Sequence, residues 1–220
     1  MKCEENLKNI SEQTNYVNWI YEIIKPSLKG DILEVGSGVG ALTSFIEKEK
    51  KVFPIDIRKY DHYHSIKKPI IFDIQDDPSI LKRKFDTILC VNVLEHIEND
   101  INSLNNMRKL LKKEGNLILF VPAIKKVYGR IDKANLHYRR YNKEDIKKKL
   151  KISNFDIEEI KYHNFVGLMG WIYQNNIIKK DLHNVNDLKR FNLLCPLFQK
   201  IEKIFPPLLG LSLLVIAKKS

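Results

Sequence analysis

Short apolar segments alternate with helical patterns along most of the chain, and this alternation limits the fold more than any other feature of the sequence. Apolar segments this short, bounded by turns, are typical of buried parallel strands joined by right-handed crossovers. We predict strands over residues 31–35, 52–55, 69–73, 85–91, 116–121, 155–162 and 211–217. The pattern therefore predicts an α/β fold with a doubly wound sheet.

Helical patterns stand at both ends of this alternation. Residues 4–24 place apolar side chains on one stripe, which predicts an N-terminal helix packed on or over the main domain and ended by Pro26. Residues 166–205 are predicted to form a mostly helical stretch before the last strand. With 220 residues, of which 44% are hydrophobic, the chain is long enough for one substantial core and too short for two full-sized domains. We therefore predict a single domain over residues 1–220.

The cysteines and the first residues bear on the compartment. Acidic residues interrupt the first thirty positions, so the sequence shows no secretory leader and we expect a cytoplasmic protein. Cys3, Cys90 and Cys195 lie far apart and form no metal-type pair. The cysteines therefore predict neither a disulfide framework nor a metal site, and we interpret them as reduced thiols.

A glycine-rich turn follows the first predicted strand, where residues 33–40 read L-E-V-G-S-G-V-G. Glycine lets the backbone turn tightly and approach a ligand at the carboxyl edge of the sheet, where open α/β sheets bind their ligands. A dinucleotide enzyme prefers G-x-G-x-x-G, whereas here the glycines are Gly36, Gly38 and Gly40, and Ala41 stands where the third dinucleotide glycine would lie. A pyrophosphate ligand is therefore disfavoured.

Acidic residues end the second and third predicted strands. Asp56 can accept hydrogen bonds from both hydroxyls of a ribose. Asp73 offers an acceptor for the exocyclic amine of adenine, with Ile74 as an apolar neighbour. The alternative is that both acids merely end strands and cap helices, as such residues often do. Their shared spacing favours a site for an adenosine-type ligand.

The fourth predicted strand leads into V-N-V-L-E-H-I over residues 91–97. With the L-E-V-G-x-G-x-G turn, this segment resembles the class I S-adenosylmethionine-dependent methyltransferases, particularly their small-molecule branch, and the resemblance covers residues 30–122 well. It implies a Rossmann-like, mostly parallel seven-stranded sheet with an antiparallel last strand, and S-adenosylmethionine as cofactor. By position it implies the cofactor-binding residues Glu34, Gly36, Gly38, Gly40, Asp56, Ile57, Asp73, Ile74 and Asn92.

The resemblance also divides the predicted domain into four parts. Residues 1–29 are expected to form an N-terminal helical cover and residues 30–122 the cofactor-binding core. Residues 123–205 are expected to supply a substrate-binding loop and a helical insertion, and residues 206–220 the last strand. Methyl transfer from a sulfonium is an in-line displacement, so such an enzyme mainly aligns the acceptor, excludes water and, for a hydroxyl acceptor, supplies one general base.

The segment from Pro122 to Tyr141 is long, lacks a periodic pattern and is predicted to be a functional loop. It carries Y-G-x-x-D-x-x-x-x-H-x-R-R-Y, which is similar to tracts in bacterial methyltransferases of this class. His137 is the first candidate for a base or a substrate contact, and His96, just past the fourth strand, is the second. The predicted substrate contacts are Tyr128, Arg139, Arg140, Tyr141 and Trp171, with an arginine to hold a phosphate or carboxylate.

Two of these interpretations have structural alternatives. His137 and the two arginines can instead pin the loop to the domain through carboxylates such as Asp132. Trp171 can belong to the core, as aromatic residues at such spacing usually do. The sequence leaves both alternatives open.

Positive charge is concentrated in one region. Residues 108–151 carry 15 Lys and Arg against 4 Asp and Glu, an excess equal to the net charge of the whole chain, +11. Such a region attracts an anionic small molecule, an acidic membrane or nucleic acid. We predict a methyltransferase for a small acceptor that is anionic or linked to a lipid or a sugar. Peripheral membrane contact through residues 191–205 stays open, and no oligomeric state is predicted.

The sequence favours two other functions less. A nucleic-acid methyltransferase is favoured by the charge but disfavoured by the absence of an N-P-P-Y type turn after the fourth strand and of an added RNA-binding module. A nicotinamide-dependent Rossmann-fold reductase, or a nonenzymatic nucleotide-binding protein, is disfavoured by the glycine spacing.

Overall fold

The computed structural model describes residues 2–61, 63–178 and 185–219, which contain one seven-stranded sheet in the order β3-β2-β1-β4-β5-β7-β6. The strands are β1 (Ile32–Val35), β2 (Val52–Asp56), β3 (Ile70–Ile71), β4 (Phe85–Val91), β5 (Leu111–Pro122), β6 (Phe155–His163) and β7 (Ser212–Lys219). β7 runs antiparallel to both of its neighbours, β5 and β6, whereas β1 to β5 pair in parallel. The predicted sheet and its antiparallel last strand are confirmed.

The central strands are buried on both faces because their apolar side chains alternate between two layers. Ile32 and Leu33 are neighbours in β1, yet they belong to separate hydrophobic clusters, and so do Leu117 and Ile118 in β5. Successive side chains of a strand point to opposite faces, so each apolar pair contributes to both layers. This explains why these strands read as continuous apolar runs rather than as an alternation.

Eight α-helices lie within the described ranges. They are α1 (Lys2–Ser11), α2 (Thr14–Ile24), α3 (Thr43–Ile46), α4 (Asp100–Leu110), α5 (Arg130–Ala134), α6 (Lys143–Ile152), α7 (Phe165–Ile172) and α8 (Val185–Ile204). A π-helical turn over Tyr173–Ile177 continues α7. Within the described ranges, none of the helices is long and apolar enough to cross a membrane.

The prediction of one helix over residues 4–24 is wrong in detail, because α1 and α2 are separate. The hydroxyl of Ser11 donates to the carbonyl of Lys8 at 2.7 Å, and the side-chain amide of Gln13 donates to the carbonyl of Asn9 at 2.7 Å. The Gln13 side chain takes the Asn9 carbonyl that the Gln13 N–H would use in a continuing helix, and that N–H donates to Ile10 instead, so α1 ends there. Leu7 of α1 lies against Gly38.

Two further segments differ from their predictions. β3 has two residues instead of five, because the Asp73 carboxylate accepts the backbone N–H of Gln75 at 2.9 Å and turns the chain. The segment 122–141 is more regular than expected, since it contains a 3₁₀ turn at Lys125–Val127 and then α5.

Candidate active site

The carboxyl ends of β2, β1 and β4 lie side by side at one edge of the sheet. The glycine turn follows β1, Asp56 ends β2, and Asn92 follows β4. Open α/β sheets bind their ligands in the crevice outside these strand ends. The topology therefore brings three of the predicted segments to one crevice.

The glycine turn is held in a conformation that side chains rarely adopt. Gly36 has a φ of +70°, and its N–H donates to the carbonyl of Ile55 in β2 at 2.9 Å. A Cβ at this position would also collide with the side chain of Val93. Glycine is required at Gly36 both for the left-handed backbone and for the close approach of the segment after β4.

Asp56 is joined directly to the glycine turn. Its carboxylate accepts the N–H of Gly38 at 2.7 Å and the N–H of Arg58 at 3.0 Å. Burial raises the pKa of this carboxyl, and hydrogen bonds from backbone N–H groups, Gly38 and Arg58 among them, oppose that rise. An ionised carboxylate accepts about four hydrogen bonds, so Asp56 keeps capacity for the hydroxyls of a ribose.

Glu34 supports the turn from inside the protein. Its carboxyl is buried and accepts a hydrogen bond from the Thr43 hydroxyl at 2.6 Å. Burial raises the pKa of Glu34 to about 7, and the nearby charge of Asp56 adds to this. On the other side of the turn, the Tyr63 ring lies against Gly40, and its hydroxyl donates to Ser37 at 3.0 Å. Nothing in the sequence indicated Tyr63.

The raised pKa of Glu34 makes stability depend on pH. The folded state holds this proton more tightly than the unfolded chain, whose pKa is near 4.5, so the stabilisation is complete below pH 4.5 and is lost as pH rises through about 7. We expect Glu34→Gln, which stays neutral, to flatten the decline in unfolding free energy between pH 5 and pH 8 by up to roughly 3 kcal/mol. Urea unfolding of the ligand-free chain across this pH range measures the unfolding free energy.

The matched control for this experiment is the exposed Glu12, because Glu12→Gln should keep the wild-type decline. If Glu34→Gln and the wild type lose stability in parallel as the pH rises, Glu34 is ionised in the folded state and the prediction is wrong.

The remaining predicted cofactor residues differ in how far their side chains are exposed. Ile57 is exposed beside Asp56, and Asp73 is half-buried just beyond β3. Asn92 is exposed with a φ of +52° at the end of β4. Ile74 is 3% exposed and packs in the core, so its side chain does not offer the apolar surface predicted beside Asp73. The turn after Asp73 directs Ile74 inward.

Both candidate histidines lie in one cluster with Glu95. The rings of His96 and His137 are nearly perpendicular, with centroids 4.6 Å apart. One ligand atom of each of Glu95, His96 and His137 lies within 4.8 Å of the other two. His137 reaches the cluster from the loop after β5, because its Nδ1 is hydrogen-bonded to the Asp132 carboxylate at 2.8 Å. The sequence did not indicate Glu95 as a site residue, although Glu95 belongs to the L-E-H-I segment.

Burial governs the charges in this cluster. It raises the pKa of Glu95 to about 7, against the lowering effect of His137 and Arg140. It lowers the pKa of His96 to about 4, and the neighbouring His137, when protonated, adds to this. Burial would also raise the pKa of Asp132, but hydrogen bonds from His137 and Arg140 hold it below its ordinary value. His96 is therefore a neutral imidazole near pH 7.

Arg140 and Trp171 join the loop to the helical insertion. The Arg140 Nε donates to both Asp132 oxygens at 2.9 Å, and its guanidinium stacks 4.0 Å from the Trp171 ring centroid. The Trp171 Nε1 donates to the carbonyl of Val127 at 3.1 Å. Arg140 is 1% exposed and Trp171 is 6% exposed. These positions favour the structural alternatives, a pin for the loop and a core residue, over the predicted substrate contacts.

The other three predicted substrate residues also have partners inside the protein. Tyr141 is fully buried, and its hydroxyl is hydrogen-bonded to Leu94 and to Asp100. Arg139 forms an ion pair with Asp100 at 3.0 Å. The Tyr128 hydroxyl donates to the carbonyl of His137 at 2.7 Å and so helps to fix the backbone of that residue. Of the five, Tyr128 and Arg139 are partly accessible.

A family described as a methyltransferase domain matches residues 5–160. An uncharacterised protein of Methanocaldococcus jannaschii is 31% identical over 91 residues, and the match covers 41% of this chain and 40% of that protein. The match thus spans less than half the length of that relative.

Solved structures share the fold at low sequence identity. A SAM-dependent methyltransferase from Archaeoglobus fulgidus is 17% identical with a TM-score of 0.62, and the similarity covers 94% of each chain. The Burkholderia thailandensis 1,6-didemethyltoxoflavin-N1-methyltransferase, solved with 1,6-didemethyltoxoflavin and S-adenosylhomocysteine, is 15% identical with a TM-score of 0.57. That similarity covers 94% of this chain and 78% of the Burkholderia protein.

Proposed function

Because this chain belongs to the family of S-adenosylmethionine-dependent methyltransferases, we propose that it methylates a small amphiphilic acceptor with an anionic group and an apolar part. The observation that carries the proposal is an apolar groove next to the start of β7, whose first residue pairs with Pro122 at the end of β5. Fold alone does not determine a substrate, so the argument rests on what this edge of the sheet presents.

The residues at the crevice fit the cofactor. Asp56 retains acceptor capacity for a ribose, and its hydrogen bond with the Gly38 N–H places the glycine turn beside it at the carboxyl edge of the sheet. S-adenosylmethionine supplies a methyl group on a positively charged sulfur. The protein's contribution is to hold the acceptor in line with that methyl group and to exclude water.

His137 is proposed to receive the proton of an acceptor hydroxyl. Asp132 is hydrogen-bonded to its Nδ1 at 2.8 Å, which orients the ring and leaves Nε2 for the acceptor. The His137 side chain is 11% exposed, so part of it is accessible from outside the protein. His96 packs against the His137 ring and is proposed to limit its rotation.

An apolar groove of about 350 Å³ lies at the same edge of the sheet. Its lining includes Phe165, Phe198, Ile201, Phe205 and Leu208. The antiparallel β7 brings this region close, since Ser212 at the start of β7 pairs with Pro122 at the end of β5. The groove therefore adjoins the first residues of the His137 loop and is proposed to hold the apolar part of the acceptor.

Exposed cations on the loop favour an anionic group on the acceptor. Lys126, Arg130 and Lys133 all expose their side chains between the end of β5 and His137. Lys and Arg bind phosphate and carboxylate groups by charge-assisted hydrogen bonds. A cytoplasmic setting is proposed as well, because Cys90 and Cys195 are buried free thiols.

A screen with labelled cofactor tests the proposal. Acceptor pools are divided into lipid-linked anionic sugars, water-soluble anionic metabolites and bulk tRNA, and we expect label in the first pool. Leu208→Ser, at a groove residue that is 91% exposed, should raise KM for that acceptor at least about tenfold with unchanged binding of S-adenosylhomocysteine.

The matched control is Ile66→Ser, because Ile66 is 89% exposed and does not line the groove. Label in tRNA, or an unchanged KM for the Leu208 variant, would overturn the proposed acceptor class.

A further inference from the structure

We infer that Glu95, His96 and His137 form a binding site for a divalent metal ion of the kind that imidazole and carboxylate ligands prefer, such as Zn²⁺. One ligand atom of each residue lies within 4.8 Å of the others. Glu95 and His96 come from the turn after β4, and His137 comes from the loop after β5. Two imidazoles and one carboxylate form a donor set that binds Zn²⁺ or Fe²⁺ and leaves coordination positions open. The inference holds whatever the methyl acceptor is.

An unpartnered carboxylate oxygen points independently to a ligand in this cluster. Glu95 is 1% exposed, and within the described part of the chain its Oε2 has no hydrogen-bond partner. Burying a polar atom without a hydrogen-bond partner destabilises the folded state, and burying an ionised atom in this way destabilises it more. A bound cation would satisfy this oxygen and stabilise the ionised form of Glu95.

The second nitrogen of a metal-binding histidine is usually held by a carboxylate or a backbone carbonyl, which fixes the ring orientation. His137 has this arrangement, with its Nδ1 at 2.8 Å from Asp132, and Asp132 is itself held by Arg140. The backbone of Leu136 and Asn135 lies near the His96 ring. His137 therefore carries the outer contact that a metal-binding histidine usually has.

The distances require only a small closure. A tetrahedral ion with bonds of about 2.1 Å needs ligand atoms about 3.4 Å apart. The ligand-atom separations of up to 4.8 Å would therefore have to shorten by up to about 1.4 Å on binding. An ion there would bind an acceptor hydroxyl in an open position and lower its pKa, so that the hydroxyl would lose its proton to water and not to His137.

Metal titration of the untagged, chelator-treated full chain, without cofactor or acceptor, tests the inference. We expect one Zn²⁺ per chain by calorimetry, and a visible absorption band when Co²⁺ replaces it. Glu95→Gln and His96→Ala should each weaken Zn²⁺ binding at least about tenfold. His64→Ala is the control, because this exposed histidine lies outside the cluster and its removal should leave the affinity unchanged.

The inference is overturned if the wild type binds no stoichiometric Zn²⁺, or if both cluster variants bind it as tightly as the wild type. Glu95→Gln preserves the shape of the side chain, so a folded variant is available even if His96→Ala unfolds, and thermal unfolding checks this. Because neither cofactor nor acceptor is present, failure of the proposed acceptor class leaves the result unaffected, and the reverse also holds.

Discussion

Replacement of Asp56 by Asn is expected to weaken binding of S-adenosylhomocysteine at least about 100-fold while the chain stays folded. The Asp56 carboxylate accepts the Gly38 N–H at 2.7 Å, and Asn can keep that hydrogen bond with its own oxygen. Its amide nitrogen, however, replaces an acceptor for the ribose with a donor. Two charge-assisted hydrogen bonds, worth about 1.5–3 kcal/mol each, are thereby weakened or lost. Isothermal calorimetry measures the affinity.

The matched control is Asp61→Asn, because Asp61 is exposed a few residues farther along the same loop. It should bind S-adenosylhomocysteine like the wild type. An Asp56 variant with wild-type affinity would remove Asp56 from the cofactor site and with it the proposed use of the crevice.

Replacement of His137 by Ala is expected to lower kcat by about 10² to 10⁴-fold, the usual contribution of a positioned proton acceptor. Asp132 fixes the ring from one side at 2.8 Å, and no smaller side chain reaches the same place. The loss is expected whether His137 takes the proton itself or holds a cation that acts on the acceptor. Single-turnover transfer of a labelled methyl group measures this loss of rate.

Cofactor binding separates chemistry from damage to the fold in this variant. His137 lies on the loop after β5, away from the glycine turn after β1, so the affinity for S-adenosylhomocysteine should be unchanged. His64→Ala should keep full turnover, since His64 is exposed outside the cluster. Unchanged turnover in the His137 variant would exclude this residue from the mechanism.

The sheet and the crevice were predictable because strand ends can be read from local sequence. A buried strand is a run of apolar residues, and the residue that follows it lies at the carboxyl edge by construction. This rule put Asp56 and the glycine turn at the same edge of the sheet, where Asp56 contacts Gly38. Ile74 shows the limit, because a strand that ends two residues early lets the chain turn and reverses which way a side chain points.

The cluster of Glu95 and the two histidines was not predictable as a unit. Glu95 and His137 are far apart in the sequence, and their contact depends on the path of the loop after β5. That path is set by Arg140, which looked like a substrate contact because arginines in loops commonly are. Only the burial of its guanidinium against Asp132 shows that it holds the loop.

The stacking of Arg140 on Trp171 bears on how such enzymes can be recombined. The loop carrying His137 and the insertion beginning with α7 close on one another through Arg140 and Val127 on one side and Trp171 on the other. A chimera that imports only one of these segments from another methyltransferase separates a guanidinium from its aromatic partner. A chimera that keeps this contact therefore has to exchange both segments together.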